Sequence, residues 1–138
     1  MPELIIPRDL FDEILEHCSS AFPNEACGIL AGKEGRVARV YAVTNIEPSP
    51  VSYFMDPGEQ LHVQKQMRER KEEMVAIFHS HPYSPAYPSA KDVQLAFYED
   101  AFYVIVGLSE SKVNEIMAFT ITEGNVREID FRVVDLWD

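Results

Sequence analysis

The chain has 138 residues, 46% hydrophobic and 25% charged, which suits one globular domain with its own core. Its net charge of −11, from 12 basic and 23 acidic residues, is spread along the sequence. The one basic cluster (Lys65, Arg68, Arg70, Lys71) is broken by Glu69 and followed by Glu72 and Glu73, so no nucleic-acid-binding face is expected. No apolar stretch is long enough to span a membrane, and the start, Met1-Pro-Glu-Leu-Ile-Ile-Pro-Arg8, lacks the basic-then-apolar pattern of a signal peptide. A cytoplasmic protein is the expectation.

In chain order, Leu10, Phe11, Ile14, Leu15 and Cys18 recur at helical spacing and predict an amphipathic helix over roughly 8–20, ended by Pro23-Asn24. A short strand follows at 26–31, then turn chemistry from Gly32 to Gly35, then a strand at 37–43. Residues 51–55 read as another strand. Asp56 as N-cap and Pro57 at the first helical position open a second helix that runs to about residue 73. The apolar run 74–78 predicts a buried strand ending at His79. A loop containing Pro82, Pro85 and Pro88 leads to a short helix from Ser89 to about residue 98, and the apolar run 102–108 fits a central strand.

Met117, Phe119 and Ile121 alternate in one further strand, and Ile129, Phe131 and Val133 in a last one. Such alternation favours antiparallel pairing with one wet face. The expected fold class is α/β (α+β): a single domain over residues 1–138, with a mixed, largely antiparallel sheet flanked by helices. Cys18 and Cys27 form no CxxC pair and read as buried thiols rather than a disulfide. The apolar end Val133-Val-Asp-Leu-Trp137 suggests a homodimer contact or a cover for the chain's own core.

The chemistry concentrates in His79-Ser-His-Pro-Tyr-Ser-Pro-Ala-Tyr-Pro-Ser-Ala-Lys-Asp92. Residues two apart in a strand point to one face, about 6.5–7 Å apart along the backbone, so His79 and His81 can converge on one ion. Asp92 returns after the turn as a third ligand. Two histidines and a carboxylate leave a fourth tetrahedral position for water, as in catalytic zinc sites.

Each part also has a plainer reading. An HxH pair arises by chance, and His17 and His62 on predicted helices read as packed or surface residues. Ser89-Ala-Lys-Asp92 after Pro88 has the form of a capping box. Ser89 can cap and face a site at once, whereas an aspartate committed to a metal is not expected to serve fully as a cap. The prolines shift the balance, since a stiffened loop holds ligands at a lower entropy cost.

His79-Ser-His81-Pro82, followed after six residues by Ser89-Ala-Lys-Asp92, resembles the motif of the JAMM (MPN-plus) zinc metalloproteases, in their compact prokaryotic form. Glu25 in Asn24-Glu-Ala-Cys-Gly-Ile-Leu30, Asn45, and Phe54 before Asp56-Pro57 fall in that family's order. The resemblance runs from Leu10 to about Leu108.

It implies the JAMM/MPN (cytidine-deaminase-like) fold, with His79, His81 and Asp92 as ligands of one zinc per chain. Glu25 would take the water's proton and return it to the leaving amine, and Ser89 would donate to the oxyanion. The implied substrate is the amide or isopeptide bond after the C-terminal Gly-Gly tail of a ubiquitin-like sulfur-carrier protein. Tyr83 and Tyr87 would line the tail's channel or simply pack the loop, and Cys27, two residues from Glu25 on the same predicted face, would approach the site or simply pack in the core. The alternatives are a deubiquitinase-like or general metallopeptidase, and a non-catalytic scaffold on the same fold.

Overall fold

The structure, a computed structural model, describes residues 3–135. Eleven elements follow in chain order: β1 (Leu4–Pro7), α1 (Arg8–Ala21), β2 (Cys27–Lys33), β3 (Arg36–Val43), α2 (Pro57–Glu69), β4 (Glu73–His81), α3 (Ala90–Gln94), β5 (Phe102–Ser109), β6 (Lys112–Thr122), β7 (Asn125–Ile129) and β8 (Phe131–Val134). The strands form one sheet in the order β7-β6-β5-β4-β2-β3-β1-β8. Pairing is antiparallel for β2 with β3 and β4, and for β6 with β5 and β7. It is parallel for β4 with β5 and for β1 with β3 and β8. The expected mixed α+β architecture is what forms. No helix among the described residues is long and apolar enough to cross a membrane.

The two helical layers follow from the alternation of side chains across each strand. One face of the sheet packs Leu4, Ile6, Leu30, Phe78, Val104 and Val106 against Ile14 and Cys18 of α1. The other packs Cys27, Ile29, Ile77, Ile105 and Phe119 against Val63 and Met67 of α2. The hairpins joining β2 to β3 and β6 to β7 use two-residue turns with both residues at positive φ, Glu34-Gly35 (51° and 81°) and Glu123-Gly124 (51° and 81°). These are primed turns whose twist matches that of the flanking strands.

Only Asp130 separates β7 from β8, yet the two strands lie at opposite edges of the sheet. One residue spans about 3.5 Å, so the edges must approach each other and the sheet must roll up. Alpha1 sits inside the roll, with Ile129 and Phe131 packed against the same core.

Four expectations need correction. Residues 51–55 form no strand; only an isolated bridge joins Asn45 to Met55. Alpha2 ends at Glu69, because Lys71 takes a left-handed φ of 58° and turns the chain into β4. Alpha3 stops at Gln94 instead of reaching residue 98. The single last strand expected from Ile129, Phe131 and Val133 is two strands, and β1 was not anticipated. Cys18 and Cys27 are free and buried. Of the apolar end expected to dock, Leu136 and Trp137 lie outside the described residues.

Candidate metal centre

Beta4 runs to His81, so both histidines lie in the strand, in register with Cys27 of β2 and with Ile105 and Gly107 of β5. His79 and His81 follow Ile77 on the face that carries α2. Both are buried, with 1% and 2% of their surface exposed. Their Nε2 atoms are 3.0 Å apart, and each lies 3.1 Å from Oδ2 of Asp92.

The result is a nearly equilateral triangle of two imidazole nitrogens and one carboxylate oxygen. Donors held about 2.0–2.1 Å from a tetrahedral ion sit about 3.3 Å from one another, so the triangle suits a zinc-sized cation after a small expansion. Hydrogen bonding suits it less well, since one proton serves one edge at a time and a cation serves all three. Among the described residues this is the one group of His, Cys, Asp and Glu ligand atoms clustered for a metal.

Asp92 is placed by α3. Ser89 Oγ accepts from the Asp92 backbone N–H at 3.1 Å, and the Ser89 N–H donates to Asp92 Oδ2 at 2.9 Å, completing the capping box. The oxygen that caps the helix is the oxygen that faces both imidazoles. Capping therefore does not turn Asp92 away from the histidines: a carboxylate oxygen accepts from more than one direction, and this one caps the helix while facing both imidazoles. Burial alone would raise the Asp92 carboxyl, but hydrogen bonds from His79 and His81 outweigh it and hold it well below the usual range.

Burial pushes His79 down. It also pulls on His81, but hydrogen bonds to Asp92 and to the Pro85 carbonyl outweigh it, and the net direction is up. His81 Nδ1 donates to the Pro85 carbonyl at 2.7 Å, which leaves Nε2 free to ligate. This is the work of the proline-rich loop. Tyr53 stacks on His79 with ring centroids 4.8 Å apart.

Glu25 lies just before β2 and is 3% exposed, with Oε1 lacking any hydrogen-bond partner. Burial raises its carboxyl to about 8, against the lowering pull of His81. Its backbone is pinned on three sides. The Glu25 N–H donates to the Ser49 carbonyl at 2.8 Å, Asn45 Nδ2 donates to the Glu25 carbonyl at 3.0 Å, and the Ala26 N–H donates to Ser80 Oγ at 2.8 Å.

Ser80 thus ties the strand of the histidines to the segment of the glutamate. Sequence reasoning passed over it, and over Tyr53 and the Pro85 carbonyl. Only the position of Ser80 between two candidate ligands hinted at a role, and a backbone carbonyl carries no sequence signal at all.

Tyr83 and Tyr87 are 67% and 57% exposed. Tyr83 packs on Phe22 at 5.5 Å and Tyr87 meets Phe119 edge-on at 5.4 Å. A cavity of about 270 Å³ beside Asp92 is walled by Tyr53, Phe54, Met55, Ile77, Leu95 and Phe97, among others. Cys27 points away from ligation: its Sγ donates to the Val43 carbonyl at 3.4 Å, and burial pushes the thiol up to about 12.

A buried carboxyl beside a two-histidine, one-aspartate triangle on a rolled mixed sheet is the arrangement of a metal-dependent hydrolase. The chain belongs to the family of prokaryotic homologs of the JAB domain, whose model matches residues 7–122. It is 42% identical to the CysO-cysteine peptidase of Mycobacterium tuberculosis over 134 residues, 96% of this chain and 92% of that protein. It is also 35% identical to a probable TtuB-protein conjugate cleaving protease of Thermus thermophilus over 122 residues, 88% of this chain and 78% of that one.

A desampylase of Pyrococcus furiosus is 43% identical over 91 residues, 66% of this chain and 64% of the relative. Among solved structures, a protein of Desulfitobacterium hafniense superposes with a TM-score of 0.80 at 37% identity, covering 96% of this chain and 92% of that one. A structure titled as a JAMM metalloprotease-like zinc site in the proteasome and signalosome has a TM-score of 0.61 at 21% identity, covering 96% and 98%, and shares the fold.

Proposed function

We propose that this chain, acting as a single domain, is a zinc-dependent peptidase. Its substrate is the amide or isopeptide bond that follows the C-terminal Gly-Gly tail of a ubiquitin-like sulfur-carrier protein. The observation that carries the reading is the triangle of His79 Nε2, His81 Nε2 and Asp92 Oδ2 next to the buried Glu25 carboxyl, whose Oε1 has no hydrogen-bond partner. The names of the relatives, a CysO-cysteine peptidase, a TtuB-conjugate protease and a desampylase, support the substrate class.

His79, His81 and Asp92 would hold one zinc, which when bound supplies Lewis acidity toward water and the scissile carbonyl. Glu25 supplies the proton traffic. Buried beside the triangle with Oε1 unpartnered, it would, as the carboxylate once a cation is held there, accept a proton from the attacking water and return it to the leaving amine. Ser89 spends a lone pair on the Asp92 N–H and keeps its hydroxyl hydrogen to donate to the developing oxyanion. The cavity by Phe54 and Leu95 leads to Asp92 and offers an apolar wall to an extended tail, with Tyr83 and Tyr87 exposed in the loop beyond.

The test is a pair of substrates offered to the zinc-loaded protein: a carrier extended beyond its Gly-Gly tail, and a free short peptide of the same terminal sequence. Cleavage of the conjugate with little cleavage of the peptide is expected. Equal cleavage of both would make it a general metallopeptidase, and cleavage of neither would make it a scaffold.

A further inference from the structure

We propose that Glu115, on β6 and 34 positions from His81, is a positioning residue for the metal centre, acting through a single peptide group. This rests on the reading of His81 as a ligand. The peptide in question joins Pro85 to Ala86. Its carbonyl accepts from His81 Nδ1 at 2.7 Å, and its N–H donates to Glu115 Oε1 at 3.0 Å.

A carboxylate, a peptide and an imidazole are thereby joined in one chain of hydrogen bonds. A histidine ligand is ordinarily oriented by a carboxylate or carbonyl at its second nitrogen. Here the carbonyl does that directly, and the carboxylate behind it fixes the peptide plane and draws electron density toward the carbonyl oxygen.

The sheet is built to permit the arrangement. His81, Gly107 and Glu115 are register partners across β4, β5 and β6. A Cβ at Gly107 would come within 3.2 Å of Glu115 Cγ and 3.3 Å of Ala86 Cβ. The glycine leaves the gap in which the loop lies flat over the sheet and its peptide reaches both side chains. Ala86 is 3% exposed, so its N–H has little water to turn to if Glu115 is removed. Pro85 is further held from within the loop, where the Tyr87 N–H donates to the same carbonyl at 2.8 Å.

The test compares wild type, Glu115→Gln, Glu115→Ala and Glu115→Thr. Threonine favours strands, and its hydroxyl sits two bonds nearer the backbone than the Glu115 carboxylate. Three quantities are read: the zinc dissociation constant by chelator competition, the Tm of the metal-free protein, and the exchange rate of the His81 Nδ1–H by NMR without metal. Loss of the acceptor in the alanine and threonine variants should weaken zinc binding about 10–100-fold and speed Nδ1–H exchange by a similar factor. Glutamine keeps an acceptor oxygen and should restore both to within about threefold of wild type.

Unchanged zinc binding and exchange in folded alanine or threonine variants, with only a lower Tm, would reduce Glu115 to a structural brace and overturn the proposal. A glutamine variant as impaired as alanine would overturn it too, by assigning the effect to charge rather than to the hydrogen bond. If one variant fails to fold, the other carries the comparison. Wild type that binds no zinc would sink the ligand reading and, with it, the metal part of this one. The exchange measurement would still report whether Glu115 orients His81.

Discussion

Ser89 and Asp92 hold each other by two reciprocal hydrogen bonds, and the Asp92 oxygen held this way is the one 3.1 Å from both His79 and His81. The cap orients the Asp92 carboxylate toward the histidines, so the helix start and the candidate metal centre are one construction. Asp92→Asn separates the two roles, since its amide oxygen can still accept from the Ser89 N–H but brings no charge to the site. We expect peptidase activity to fall at least about 100-fold in both Asp92→Asn and Asp92→Ala, beyond what loss of an outer contact costs. Alanine should lose about 1 kcal/mol more stability than asparagine. Activity assays beside thermal melts of the metal-free proteins check this, and equal stability of the two variants would show that the cap is not a stabilising element.

Glu25→Gln should lower the rate about 10²–10⁴-fold while leaving zinc bound. It should also change how stability depends on pH. The folded carboxyl is raised, from 4.5 to about 8, so the stability it contributes is complete below its unfolded value and is lost as pH rises through about 8. Glutamine does not ionise and escapes that loss, on the order of a few kcal/mol. In metal-free protein the variant should therefore melt higher than wild type in mild alkali and converge with it as pH falls toward the ordinary carboxylate range. Parallel melting curves at all pH values would contradict the buried, neutral Glu25. Asp92 has the opposite sign: its depressed carboxyl stabilises above the unfolded value and loses that contribution as pH falls.

Ser89→Ala should slow turnover about 10²–10³-fold, the usual cost of a lost oxyanion donor, and destabilise the fold by about 1 kcal/mol through the lost cap. Ser89→Thr keeps a hydroxyl for both tasks and should retain most of each. Assayed well below the Tm, a variant that lost only its cap would keep its kcat, so a normal kcat in Ser89→Ala would remove Ser89 from the chemistry.

Ser80→Ala leaves the Ala26 N–H without its buried partner, which costs about 1–3 kcal/mol. Because Ala26 follows Glu25, we expect kcat to fall more than zinc affinity does. Zinc affinity falling with kcat would instead place the disturbance at His79 and His81.

The central elements were legible because their signals are local. The apolar runs that became β4 and β5, the helical spacing of Leu10 to Cys18, and Asp56-Pro57 opening α2 each specify structure without distant partners. Asp56 indeed accepts from the Gly58 and Glu59 N–H groups. Beta1 escaped notice because Leu4 and Ile6 gain strand geometry only by lying between β3 and β8. Residues 129–133 misled for the same reason: their alternation is real, but the sheet's roll sends the two halves to opposite edges.

At the site, spacing brought out His79, His81 and Asp92, whereas Glu25 was one acid among 23 until the family resemblance promoted it. Its burial and missing partner are tertiary facts. The Pro85–Ala86 peptide and Glu115 were invisible, since a hydrogen-bonded peptide plane depends on how a loop lies over a sheet.

The most direct test of the metal reading is the zinc content of protein purified without chelator and then reloaded, measured by elemental analysis for wild type beside His81→Ala. About one zinc per wild-type chain, lost or sharply weakened in the variant, is the predicted result. Wild type that stays metal-free after reloading would contradict it, and would leave the triangle of His79, His81 and Asp92 a hydrogen-bonded structural cluster.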